Sequence, residues 1–309
     1  MKRDLISMLD LSSAEIDMLL DGARRLKEGR GEAQPLLSGK TLGMIFEKAS
    51  TRTRVSFEVG MFELGGHALF LNAQDLQLGR GEEIRDTARV LSRYLSAVMI
   101  RAYHHSTITE FAKYASVPVI NALSDLEHPC QILADLLTIR ERKGSEKGLA
   151  IAWVGDGNNV ANSLILGSAR QGYAVRAATP PGYAPPSAIV DAARAEGGDV
   201  TLLRSPAEAA EGADVIYTDT WISMGSEAEA LQRRAALRGY TVDEALLSRA
   251  SPDAIVMHCL PAHRGEEITD EVMEGVHSVV WDQAENRLHT EKALLVWLIE
   301  KEIKDTTRR

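Results

Sequence analysis

Ser50-Thr51-Arg52-Thr53-Arg54 brings three hydroxyls and two guanidinium groups into five consecutive residues. The 309-residue chain carries 35 Lys and Arg against 44 Asp and Glu, a formal charge of −9. Its overall field repels anions, so an anionic ligand must be held by a local cluster such as this one. Val55, Val59 and Phe62 follow at i, i+4 and i+7. That spacing predicts a helix that begins within Ser50 to Thr53 and turns those three side chains inward. A helix start offers unpaired backbone N–H groups and the positive end of the helix dipole, and the hydroxyls add donors. The implied ligand is a phosphate. Arg52 and Arg54 point to different sides of such a helix, so one serves a ligand while the other makes structural pairs.

Further residues with chemical capacity stand at similar places. Arg101 ends the apolar run "AVMI", where a salt bridge at a strand end is the plain alternative. His128 and Gln131 flank "HPCQ", with proline at a first helical position. Asp219 opens "DTWISMG", and Cys259 lies in "HCLP". The stretch "VGDGNNVANS" invites a dinucleotide reading, but the third glycine of the G-x-G-x-x-G fingerprint falls at Val160. The next strand also ends in Thr179 and Pro180, without a ribose-binding acid. A nicotinamide-dependent dehydrogenase is therefore disfavoured.

The elements that must position these residues follow from the apolar pattern. "LSSAEIDMLLDGARRLK" has a Ser12/Glu15 capping box and Ile16, Leu19, Leu20 and Ala23 at helical spacing. The short runs "TLGMIF", "HALFLN", "AVMIRA" and "VPVIN" read as buried strands separated by helical segments. After "ERKGSEKG" a second series runs "LAIAWVGDG", "YAVRAATP", "DVTLL", "ADVIYTDT", "AIVMHCLP" and "SVVW". The fold class expected is α/β, with two doubly wound domains, each a mostly parallel sheet flanked by helices. Residues 1–140 form the first domain and 148–289 the second, and a last helix from about 290 returns to the first domain with the segment to 309. Ligands of such sheets bind outside the carboxyl ends of strands, where strand order reverses. Ser50 to Arg54, Arg101, His128, Asn159, Asp219 to Gly225 and His258 to Pro261 all follow predicted strands.

The acidic balance speaks against nucleic acid and anionic membrane surfaces as partners. No apolar run reaches the roughly 18 to 20 residues of a transmembrane helix, and the N-terminus lacks a secretory pattern. The two cysteines, Cys130 and Cys259, are far apart and in no metal-ligand spacing. A reducing cytoplasm is the expected compartment.

"FEKASTRTRVSFE" closely resembles the phosphate-binding signature of the aspartate/ornithine carbamoyltransferase family, and "HPCQILADLLT", "DTWISMGSE" and "MHCLPAHRGEEIT" follow in family order. The resemblance implies that Ser50, Thr51, Arg52 and Thr53 hold the phosphate of carbamoyl phosphate, with Arg101 as a second cation. It implies that His128, Arg101 and Thr53 donate to the carbamoyl oxygen and that the Gln131 amide oxygen accepts from the carbamoyl NH₂. Arg287 matches a further cation near that oxygen, and Lys48 adds positive field. Asn159 would hold the α-carboxylate of L-ornithine. Asp219 and Ser223 would hold its α-amino group, with Met224 contributing backbone. Cys259, linked to Asp219, would orient the δ-amine and help remove its proton, while the Leu260 carbonyl meets the carbamoyl group. Gln77, after "HALFLN", would reach the phosphate in a neighbouring subunit of a homotrimer. His258, His263 and His289 receive no role.

The activity implied is carbamoyl transfer to ornithine, giving citrulline and phosphate without metal or organic cofactor. The alternatives are a carbamoyltransferase for putrescine or an N-acylated ornithine, against which "DTWISMG" and the unmodified S-T-R-T-R argue, and a non-catalytic metabolite-binding protein on the same fold.

Overall fold

The computed structural model describes residues 2–32, 34–77, 81–144, 147–222 and 227–300. Among these the chain forms two compact units, one from residues 2–137 and 286–300 and the other from 138–285.

In the first unit the strands are β1 Thr41–Phe46, β2 His67–Asn72, β3 Ala97–Arg101 and β4 Val119–Leu123, all parallel in the order β2-β1-β3-β4. Leu5 adds a one-residue bridge to Ile120 beyond β4. The helices are α1 Ser13–Glu28, α2 Thr51–Glu63, α3 Ile84–Leu91, α4 His105–Tyr114 and α5 Pro129–Lys143, the last running into the second unit. The Ser12/Glu15 capping box forms, and Ile16, Leu19, Leu20 and Ala23 are buried as their spacing predicts. The chain leaves β1 toward β2 on one side and β3 on the other, so strand order reverses between β1 and β3. Their last residues, Phe46 and Arg101, are paired in register.

In the second unit β5 Ala150–Val154, β6 Ala174–Ala178, β7 Val200–Leu203, β8 Val215–Thr218 and β9 Ile255–His258 form a parallel sheet in the order β7-β6-β5-β8-β9. The helices are α6 Asn159–Gln171, α7 Ser187–Ala195, α8 Pro206–Ala210, α9 Ala230–Leu237, α10 Glu244–Leu247 and α11 Asp270–Met273. Reversal here lies between β5 and β8. The core on one face of this sheet gathers Ala152, Val154, Ile216, Trp221, Val256 and Val280. No helix among the described residues is long and apolar enough to cross a membrane.

Three sequence expectations are corrected. The buried side of α2 is Thr53, Phe57, Gly60 and Met61, while Val55 is 52% and Phe62 80% exposed. Gly60 provides the reason: a Cβ there would meet Lys292 Cγ at 3.2 Å, so the small residue admits the last helix on that side. "HALFLN" is an edge strand, β2, with Leu69 and Phe70 each 40% exposed rather than buried. "SVVW" is not a strand. Ser278 makes a single bridge to Val256, and the last helix, α12 Val280–Glu300, starts at once, about ten residues before the expected point. Most of its polar residues from Gln283 to Lys292 are buried, so it lacks the one-sided apolar stripe by which a surface helix is recognised.

Candidate active site

The first cluster stands at the reversal point of the first unit. Ser50 caps α2: its Oγ accepts from Thr53 N–H at 3.3 Å, and its hydroxyl donates to Thr53 Oγ1 at 3.2 Å. This fixes the helix start at Thr51, within the predicted window, and leaves Thr51 exposed and Arg52 half-buried beside it. Arg54 is the structural arginine of the pair. It lies 3.9 Å over the Phe70 ring and donates to Glu58 at 3.4 Å.

Thr53 also receives Arg287 of α12, whose Nη2 donates to Thr53 Oγ1 at 3.4 Å. The Arg287 Nη1 donates to Gln131 Oε1 at 2.8 Å, and its Nε and Nη2 donate to Glu291 Oε1 at 2.9 and 2.6 Å. Gln131 Nε2 donates in turn to Asp135 at 2.9 Å. Arg287, expected as a cation directed at a ligand oxygen, thus spends most of its donors on three neighbours, and the Gln131 oxygen already accepts from it. Arg287 aims Gln131 and Thr53. One lone pair on Gln131 Oε1 is left for a ligand NH₂. Glu291 and Asp135 were not foreseen, although each lies four residues after its partner on one helix face.

Arg101, His128 and Lys48 are also buried, at 7, 5 and 7% exposure, and Lys48 lies 4.6 Å over the Tyr103 ring. Burial, then Arg287, Arg101 and Arg52, hold His128 well below the usual histidine range. It is neutral at pH 7, a donor through one nitrogen and not a cation. Burial pushes the Glu291 carboxyl up against the opposing pull of Arg287; burial alone would lower Arg287, and Glu291 raises it. Burial likewise pushes up the Cys130 thiol, which donates to Asn121 O at 3.4 Å. Cys130 is a packing residue. Gln77 is exposed on the segment after β2, where its carbonyl accepts from Glu82 N–H at 3.0 Å.

The second cluster stands at the reversal point of the second unit. Val154 pairs with Thr218, and Thr218 with His258, so the residues that leave β5, β8 and β9 emerge side by side. Asp219 is 6% exposed. One of its oxygens accepts from Asn158 Nδ2 at 2.7 Å; the other accepts from Cys259 Sγ at 3.0 Å and from Thr220 N–H at 2.8 Å. Asn158 is bound at its other end as well, because its Oδ1 caps α6 by accepting from Val160 and Ala161 N–H. Asn159 is the first residue of that helix and half-buried. Ser223 and Met224 lie outside the described residues.

His258 sets the backbone after β9. Its Nδ1 accepts from Leu260 N–H at 2.8 Å, and its Nε2 lies 3.1 Å from Glu267 Oε1. The first bond requires an unprotonated Nδ1, so Nε2 carries the proton and donates to Glu267. Leu260 adopts φ 60°, a left-handed conformation rare for a side chain of its size. Ligating atoms of Asp219, His258 and Cys259 lie within 4.8 Å of one another, a spacing that could hold a metal ion. Both nitrogens of this imidazole are engaged, so the ring keeps no lone pair for one.

Residues 3–141 match the model of the aspartate/ornithine carbamoyltransferase carbamoyl-P binding domain, and residues 147–298 that of the Asp/Orn binding domain. The chain is 65% identical to an ornithine carbamoyltransferase of Methanoculleus marisnigri over 97% of each chain. An enzyme of Pyrococcus furiosus named as an anabolic ornithine carbamoyltransferase is 56% identical over 95% of each. A solved ornithine carbamoyltransferase structure from Pyrococcus furiosus superposes with a TM-score of 0.93 at 55% identity, covering 98% of both chains. With both family domains matched over nearly its whole length, the chain belongs to the aspartate/ornithine carbamoyltransferase family.

Proposed function

We propose that the protein transfers the carbamoyl group of carbamoyl phosphate to the δ-amine of L-ornithine, releasing L-citrulline and phosphate. The relatives named ornithine carbamoyltransferase at 55 to 65% identity support this reading. The observation that carries it to the residues is the knot of Asn158, Asp219 and Cys259. It fixes one buried carboxylate, with its hydrogen-bonded thiol, at the ligand-binding end of a sheet. A buried carboxylate suits an ammonium ligand and would be costly beside a carboxylate one.

In the first unit Ser50, Thr51, Arg52, Thr53 and Arg101 take the phosphate, and the positive end of α2 adds to their field. Neutral His128, Arg101 and Thr53 donate to the carbamoyl oxygen as negative charge gathers there. Gln131, held by Arg287 and Asp135, accepts from the carbamoyl NH₂. In the second unit Asn159 takes the α-carboxylate, and Asp219, with Ser223, takes the α-amino group. Cys259 orients the δ-amine. The neutral amine attacks the carbamoyl carbon, a C–N bond forms, and the C–O bond to phosphate breaks. The departing phosphate accepts the amine proton. No step calls for a redox change.

Self-association belongs to the same reading. Val55, Phe62, Leu69 and Phe70 leave an apolar surface on α2 and β2, and Gln77 is exposed on the segment that follows. We assign this face to a homotrimer in which Gln77 serves a neighbour's phosphate. The reduced Cys259 thiol that donates to Asp219 suits a reducing cytoplasm.

A substrate panel tests the proposal. Carbamoyl phosphate is offered with ornithine, putrescine, N-acetylornithine or aspartate, and the carbamoylated product is quantified. Turnover of ornithine at least a hundredfold above the others is expected; preference for any of the others overturns it.

A further inference from the structure

Asp156 stands in the turn after β5, three residues before α6, and is 8% exposed. Its carboxylate accepts from Arg233 Nη1 of α9 at 2.7 Å, with side-chain exposures of 11 and 15%. The same Nη1 lies 3.5 Å from the Trp221 carbonyl, and Nε donates to Glu229 at 3.0 Å. The guanidinium also lies 5.3 Å over the Tyr183 ring, whose own backbone carbonyl accepts from Gly157 N–H at 2.8 Å. Gly157 permits that approach, since a Cβ there would meet Pro185 N at 2.3 Å. One planar cation therefore ties together the turn after β5, the residues that follow Asp219 and the start of α9. Arginine suits this place because its fork can serve several acceptors while its face stacks on an aromatic ring.

The four contacts are unequal. Glu229 is 58% exposed and in an i,i+4 relation, a contact that contributes little. The Asp156 pair is shielded from water, and it answers an electrostatic need. Burial pushes Asp156 up, Arg233 pulls it down, and the charge of Asp219 pushes it up again. Two carboxylates thus share one end of the sheet, and Arg233 neutralises the one that has no substrate to bind.

We infer that Arg233 is a positioning residue for ornithine: paired with Asp156, it fixes the turn from Asp219 to Ile222 and leaves Asp219 as the carboxylate that meets the substrate amine. The inference rests on the ornithine reading and deepens it. Arg233 itself touches no substrate.

The test uses the full-length protein with Arg233→Gln, Arg233→Lys, Asp156→Asn and the Arg233→Gln/Asp156→Asn double variant. Arg233→Gln is expected to raise the KM for ornithine at least tenfold while the KM for carbamoyl phosphate stays within twofold. Arg233→Lys is expected to recover part of the loss. Because the two residues act as one unit, the double variant is expected to be no worse than the poorer single variant. Hydrogen exchange without substrates gives an independent readout, in which Arg233→Gln speeds exchange in peptides covering 219–222 and leaves β6 unchanged. A parallel rise in both KM values, multiplicative losses in the double variant, or unchanged exchange at 219–222 overturns the inference. Wild-type protein that does not carbamoylate ornithine overturns the ornithine reading instead, and the exchange data then still judge the clamp.

Discussion

The two cationic and anionic poles of the proposed site rest on single side chains whose effects separate. Arg52→Ala removes a charge-assisted phosphate contact of roughly 1.5 to 3 kcal/mol. Calorimetry without ornithine is expected to show carbamoyl phosphate binding weakened by that amount, whereas Asp219→Asn leaves it nearly intact and abolishes ornithine use. Equal binding by both variants would contradict the assignment. His128 makes a second prediction. Unfolded, it takes a proton near the ordinary value of 6.5; folded, burial and three arginines keep it neutral well below that. The unfolded chain then binds a proton that the native chain does not, so stability is full above pH 6.5 and falls as pH drops below it. His128→Asn is expected to flatten the decline in urea-unfolding free energy between pH 7 and 5.5 by up to about 1.4 kcal/mol per pH unit. An unchanged slope would mean that this imidazole is charged in the fold. At this scale the types of the site residues were legible, because hydroxyls and guanidinium groups at a helix start have few uses in an acidic chain. Their partners were less so. Arg287 is the example: its donors meet Glu291, Gln131 and Thr53, and the last two lie 156 and 234 residues away in sequence.

The elements were read best where pattern and burial coincide. α1 has its capping box and its apolar stripe where expected, and the central strands are unbroken apolar runs because both faces of a parallel sheet are covered. α2 misled because its apolar residues lie on both sides, and Gly60, not a large side chain, marks the face that meets α12. α12 misled because most of its polar positions from Gln283 to Lys292 are buried, the network around the Arg287–Glu291 pair among them. That network makes its own prediction. Glu291→Gln leaves the buried Arg287 charge without its anion and is expected to lower unfolding free energy by about 3 kcal/mol in urea titration. Adding Arg287→Met is expected to cost less than its effect alone, since the pair acts as a unit. Strict additivity would show that the pair holds nothing in place.

For the whole molecule, the alternation of strands and helices disclosed two parallel sheets, and strand order, which pattern cannot give, explains why the motifs of each sheet gather at its own reversal point. Assembly is the level that sequence pattern reached least, since the exposed Val55 and Phe62 that we assign to a neighbour's contact read as interior. If Gln77 serves a neighbour's phosphate in a cyclic trimer, Arg52→Ala and Gln77→Ala chains each spoil every site in their own homotrimer. Each mixed trimer then holds one site with both residues intact. Dissociating, mixing and reassociating the variants is expected to give activity above the parental average, and activity equal to that average would place Gln77 outside the shared chemistry. The central claim is carbamoyl transfer to ornithine, and the most direct measurement follows phosphate and ureido product together as purified protein meets carbamoyl phosphate with and without ornithine. The account predicts that both rise only when ornithine is present, with one citrulline formed for each phosphate released. Phosphate released without citrulline, or no ornithine-dependent turnover by protein that binds both substrates, would contradict it.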